Sequence, residues 1–194
     1  MPAEQRRHVT DLRVLRAMAN PVRYRIFSHL MAAGAQTASE CADVVGASAS
    51  NCSYHLRELQ RFGLVERVAD AAGDGRERPW RTVGTGFSFH PADTERDDPA
   101  ARIASGQLVH LGIDDDAALA HAAADAHEDL PEAWREAETL NSYGLRVSPA
   151  ELTALASAVD ALIRPYIGLT REDTPADAEP VHVAFQAFRL PANG

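Results

Sequence analysis

The feature that most limits what this chain can become is the punctuation of residues 10–63. Asn20-Pro21 reads as a helix N-cap followed by proline at the first helical position, where the missing N–H costs nothing. Thr37-Ala38-Ser39-Glu40 is a capping box, Ser48 is a further N-cap, and Gly34, Gly46 and Gly63 are stop signals. Between these marks the apolar residues recur at helical spacing. Leu12, Leu15 and Ala19 form one stripe, with Val14 and Met18 beside it. Val22, Ile26 and Leu30 form the next, widened by Phe27 and Met31. Cys41, Val44 and Val45 are expected inward on a short third helix, and Cys52, Leu56, Leu59 and Phe62 repeat at helical spacing on a fourth.

After Gly63 the period changes from helix to strand. Leu64–Val68 is a short strand, 70–78 a polar loop punctuated by Gly73 and Gly75, and Pro79–Val83 a returning strand. Four helices and a hairpin, with a tight glycine turn between the third and fourth, predict a winged helix-turn-helix. The second half carries different signals. Ala100–Gly112 and Asp114–Asp129 read as two helices, the second opened by three aspartates. Glu132–Glu138 is a further helix, and Leu140–Val147 alternates as a strand. Ser148-Pro149-Ala150-Glu151 starts a helix whose Leu152, Leu155, Val159, Leu162, Ile163 and Tyr166 are expected inward, before a second alternating strand over Val181–Leu190. The expected fold is α+β and mainly α. A winged helix-turn-helix over 1–86 is followed, over 87–194, by an acidic helical domain with a small β-α-β appendage.

Charge divides the same way. Residues 1–86 hold 12 Arg against 9 Asp and Glu, a balance of +3, whereas 87–194 balance at −12. All 19 basic side chains are Arg. A mildly basic first half beside an acidic second half suits a polyanion-binding module joined to an unrelated one. Two cysteines, Cys41 and Cys52, suit a reducing cytoplasm, and no apolar window is long enough to span a membrane. Glycine-rich phosphate loops, G-x-S-x-G and H-E-x-x-H are absent from the sequence, so no enzyme is expected.

Three phrases give a more specific reading: Leu15-Arg16-Ala17-Met18-Ala19-Asn20-Pro21-Val22-Arg23, Ser53-Tyr54-His55-Leu56-Arg57-Glu58-Leu59, and Gly63-Leu64-Val65. In order and separation they resemble the ArsR family of bacterial transcriptional repressors, over about residues 10–86. The resemblance implies a cytoplasmic homodimer that binds double-stranded DNA and represses, with the helices after the wing forming the dimer contact. It aims the positions of Ser50, Ser53, Tyr54 and Arg57 at DNA, and His55 stands where the family has a histidine. The helical face opposite the apolar stripe adds Ala49 and Asn51, types that can pair with base edges together with Ser and Arg. Ser48 opens this helix, Arg61 lies one turn beyond Arg57, and Arg76 and Arg78 mark a basic wing tip suited to phosphate.

Metal ligands are not expected, and neither is a cofactor. The family's Cys-x-Cys pair falls on Thr37 and Ser39, which are not soft ligands. In its second site His110 and His121 are in place, but Leu108 and Ala124 stand where the other ligands belong. Trp134, Tyr143, Tyr166, Phe185 and Phe188 offer either core packing or the lining of an effector pocket. Two other readings stay open at this point: a sensor whose second half adjusts DNA affinity to a small-molecule effector, and an adaptor using the winged helix to bind protein.

Overall fold

A computed structural model describes residues 7–68, 78–84, 87–89, 98–168, 171 and 173–191. The elements run β1 (Arg7–Val9), α1 (Leu12–Met18), α2 (Pro21–Ala33), α3 (Ala38–Val45), α4 (Ala49–Arg61), β2 (Val65–Arg67), β3 (Trp80–Thr82), β4 (Phe87–Phe89), α5 (Pro99–Ala126), α6 (Glu132–Ala137) and α7 (Pro149–Ile163). The helix starts form as the sequence predicts. Asn20 accepts from the Arg23 amide at 3.1 Å. Thr37 and Glu40 close their capping box reciprocally, and so do Ser148 and Glu151.

Helices α1 to α4 and the hairpin share one core. It is built from Val14, Leu15 and Met18 of α1, Ile26, Phe27 and Leu30 of α2, Cys41 of α3, Cys52, Leu56 and Leu59 of α4, and Leu64, Val65 and Trp80 of the hairpin. On α3 the inner face is taken by Ala38, Cys41 and Ala42, while Val44, expected inward, is exposed. Strands β2 and β3 pair antiparallel, Val65 opposite Thr82 and Arg67 opposite Trp80. The hairpin is also tied back to the start of α3: Gln36 and Trp80 exchange two backbone hydrogen bonds of 2.9 and 2.7 Å. A short parallel pair, β1 with β4, has no counterpart in the sequence reading. Two three-residue strands far apart in the chain leave too little alternation to read. Phe87 of β4 meets Phe27 edge-on, with ring centroids 4.9 Å apart.

The packed unit does not stop at residue 86. Ala104 and Leu108 of α5 belong to the same core, and α5 lies against α1 and α2. Two helices were expected here, and one continuous helix of 28 residues is found. A glycine in a helix interior costs only about 1 kcal/mol. Gly112 also has a use, because a Cβ there would come within 2.9 Å of the Tyr24 hydroxyl from α2. Asp114, Asp115 and Asp116 therefore lie mid-helix rather than at a helix start.

The expected β-α-β appendage is not assembled within the chain. Residues 138–148 and 178–191 carry no strand, and α7 buries none of its residues. Leu162 and Tyr166, expected inward, are 72% and 68% exposed. A strand needs a hydrogen-bonded neighbour, and neither extended segment has one. Leu108→Ala is expected to destabilise the N-terminal unit by about 2–4 kcal/mol, as for any buried leucine. Denaturant unfolding checks this, and a loss below about 0.5 kcal/mol would detach α5 from the unit.

Candidate nucleic-acid interface

Helix α4 has two unlike faces. Cys52, His55, Leu56 and Leu59 are buried, which fixes the rotation of the helix about its own axis. Ala49, Ser50, Asn51, Tyr54, Arg57, Gln60 and Arg61 are exposed on the other side, with Ser53 at the border. The connection to α3 is a single tight turn. Gly46 sits in the left-handed region at φ 67° and ψ 36°, where a side chain would be strained. Ser48 then caps α4, its hydroxyl accepting from the Asn51 amide at 3.2 Å.

The cap engages the Ser48 hydroxyl, so its part in any interface is to fix the first turn. The side chains of Ser50 and Asn51, in that turn, have no hydrogen-bond partner among the described residues. Arg57 lies back along its own helix, donating from Nε to the Ser53 carbonyl at 3.1 Å. Arg61 pairs with Glu58 at 2.9 Å. Both contacts are solvent-exposed and give way readily to a phosphate or a base edge, since exposed pairs are worth about 0–1 kcal/mol. On the wing Arg78 is exposed, and its carbonyl accepts from Arg67 at 3.1 Å. Arg76 lies outside the described residues.

Three cations escaped the sequence reading. Arg67 lies over the Trp80 ring, 4.3 Å from its centroid, and Arg81 pairs across the hairpin with Glu66 at 2.8 Å. The register of β2 against β3 was the signal: with Val65 opposite Thr82, Glu66 must face Arg81. Arg25 is a third, tying the helix-turn-helix to α5. Its guanidinium donates to the Val44 carbonyl at the end of α3 and meets Asp115 at 3.6 Å.

The candidate ligand positions are otherwise engaged. The Thr37 hydroxyl caps α3, and Leu108 is in the core. No group of three or more metal-ligating side chains occurs among the described residues. Cys41 and Cys52 are buried and free, and burial pushes the Cys41 thiol up to about 12 and raises Cys52 as well. Both stay protonated and unreactive. Of the five aromatics considered for a pocket, only Phe188 lines the open groove of about 390 Å³ between α2, α5 and residues 186–188. No helix among the described residues is long and apolar enough to cross a membrane.

Residues 18–68 match a family model described as a helix-turn-helix domain. The N-terminal unit is a winged helix-turn-helix domain. Similar solved structures include the homodimeric winged helix-turn-helix DNA-binding domain of a "possible ArsR-family transcriptional regulator" from Mycobacterium bovis. It is 22% identical, with a TM-score of 0.31 over 63% of this chain and 86% of that one. An ArsR-like transcriptional regulator from Rhodococcus sp. RHA1 is 26% identical, with a TM-score of 0.30 over 58% of this chain and 89% of that one. A MarR family transcription regulator is 18% identical, at 0.31 over 84% and 82%. At these TM-scores the overlays are too loose to transfer any property. Comparison with curated proteins gives no match.

The winged helix carries its own pH sensitivity. His29 Nε2 and His55 Nδ1 are buried without a partner, and burial holds both imidazoles below their usual value. Below about pH 6.5 the unfolded chain takes up protons that the folded domain resists. The stability present above that pH is therefore lost as pH falls. Thermal midpoints should drop between pH 7 and pH 5, with a shallower slope in His29→Gln and His55→Gln; unchanged slopes in both variants would contradict this.

Proposed function

We propose that the chain is a DNA-binding transcriptional regulator that binds a two-fold-related operator as a homodimer and represses from it. The carrying observation is the locked rotation of α4. With Cys52, Leu56 and Leu59 in the core, the face of Ser50, Asn51, Ser53, Tyr54 and Arg57 is the one a major groove would meet. Asn pairs bidentately with adenine and Arg with guanine. Arg61 and the wing's Arg76 and Arg78 supply phosphate contacts, which position without reading sequence.

A homodimer is supported by surface and by need. Helix α5 shows Gly106, Val109, Ile113, Ala117 and Ala120 at helical spacing, an apolar stripe against which a second helix can pack, with Val109 and Ile113 also lining the groove beside residues 186–188. One winged helix covers too little DNA for useful specificity, and two recognition helices related by symmetry double the reading. A repressor acts by occupying its site, so binding alone suffices. A cytoplasmic location fits two buried thiols that stay reduced.

The test separates base reading from phosphate contact. Arg57→Ala should cost about 1–3 kcal/mol on the cognate duplex and much less on a scrambled one. Arg78→Ala should weaken both alike and reduce the log–log salt slope by about one. Titrations of both variants on both duplexes across salt check it. Equal losses on cognate and scrambled DNA for Arg57→Ala would move base reading to Ser50, Asn51, Ser53 and Tyr54, and no binding to any duplex would remove the function.

A further inference from the structure

We infer that Arg67 is a positioning residue for the wing: by lying over Trp80 and holding the Arg78 carbonyl, it fixes the direction in which Arg78 leaves the hairpin toward a DNA phosphate. The inference rests on the reading of Arg78 as a phosphate contact and adds what aims that contact.

The register of the hairpin brings the partners together. Arg67 ends β2, Trp80 begins β3, and the two stand opposite each other. The cross-strand bonds to either side run from the Val68 amide to the Pro79 carbonyl and from the Val83 amide to the Leu64 carbonyl. That spacing makes Arg67 and Trp80 a non-hydrogen-bonded pair, the kind whose side chains come closest. The Trp80 amide and carbonyl turn the other way, to Gln36, at 2.7 and 2.9 Å. The indole is held from that side and buried, and the Arg67 guanidinium lies over it, 4.3 Å from the ring centroid.

The same guanidinium grips the returning chain. Arg67 Nη1 donates to the Arg78 carbonyl at 3.1 Å. Arg67 thus acts at both ends of the wing loop: its backbone leads into the loop, and its side chain holds the residue where the chain comes back. Two further constraints act on Arg78. It precedes Pro79, and a residue before proline is confined to extended backbone. The Pro79 carbonyl is in turn bonded to the Val68 amide at 3.0 Å. A backbone fixed in these three ways gives the Arg78 side chain, which is exposed, a defined starting direction.

The chemistry favours arginine at position 67. A guanidinium is planar and can lie over a ring while donating from its rim, whereas an ammonium is a compact point charge suited to one of those tasks at a time. Arg67 is partly buried and engaged with the ring and the carbonyl, while Arg78 is exposed. One cation holds and the other reaches.

The test is a double-mutant cycle on the full-length protein. Each variant is titrated against a labelled duplex of arbitrary sequence across salt, with helical content and thermal midpoint recorded alongside. Arg67→Met keeps the length of the side chain and removes its charge and its donors. It is expected to lower the log–log salt slope by about one, as Arg78→Ala does, and the two substitutions together to lower it no further. Arg67→Lys keeps the charge but not the grip, so the same loss is expected; it carries the test should Arg67→Met fail to fold. A slope that falls by about two in the double variant makes Arg67 a phosphate contact in its own right and overturns the inference. A folded Arg67 variant with a lowered thermal midpoint and an unaltered slope overturns it too, leaving Arg67 a stabilising residue only. If Arg78→Ala leaves the slope unchanged, the phosphate reading fails and this inference with it. No binding by the unaltered chain removes the DNA-binding function itself.

Discussion

Everything the winged helix can present to a partner depends on how α4 is gripped from behind. Cys52, Leu56 and Leu59 have no exposed surface, and they meet α2, α3 and the hairpin in one core. A helix held at three positions along one stripe cannot roll, and polar side chains on the opposite face gain fixed directions without any contact of their own. The turn at Gly46 and the cap at Ser48 then set where the helix begins, which decides which residues occupy the first turn. Trp80 closes the arrangement from the side. It is buried, pairs with Gln36 through the backbone, and so joins the wing to the entry of α3. Core packing is therefore the functional device here, and the outward residues are its readout.

The N-terminal half was legible because its signals are local. Caps, stop glycines and a 3.6-residue period depend on neighbours a few positions away, and the helix starts at Asn20, Thr37 and Ser48 form where those signals lie. What the sequence hid there depends on distant neighbours: the β1–β4 pair, the Gln36–Trp80 bridge, and the Arg67 stack on Trp80. In the second half the same local rules placed the start of α7 correctly and then failed. Asp114-Asp115-Asp116 has the composition of a helix start, but Asp115 and Asp116 serve instead as ion-pair and hydrogen-bond partners to Arg25, His182 and Gln186. Composition near a glycine could not tell a break from a close approach, and Tyr24 lying against Gly112 decided it.

Alternation over 140–147 and 181–190 was read as strand, and the single chain has no strand there. Both statements follow from one fact. Alternation reports that one face expects burial and the other water, but it does not say which chain supplies the cover. Local pattern and single-chain structure conflict in this region and agree in the winged helix.

Assembly and DNA affinity are then one problem. The protein carries −9 overall, and several of its cations near α4 are already held: Arg61 by Glu58, Arg81 by Glu66, Arg25 by Asp115. On the proposed function, cations already paired within the subunit must exchange partners before they release counterions from a duplex, which weakens the contact one subunit makes. The proposed homodimer changes this without new chemistry. The second recognition helix binds at an effective concentration set by the dimer, and contacts too weak to hold one copy hold a pair. On the proposed homodimer the acidic surplus of the second half opposes DNA of every sequence alike, so base-edge contacts at the operator supply the preference. In the proposed homodimer, α4 reads the bases, and the second half contributes through the strength with which it brings two α4 helices together.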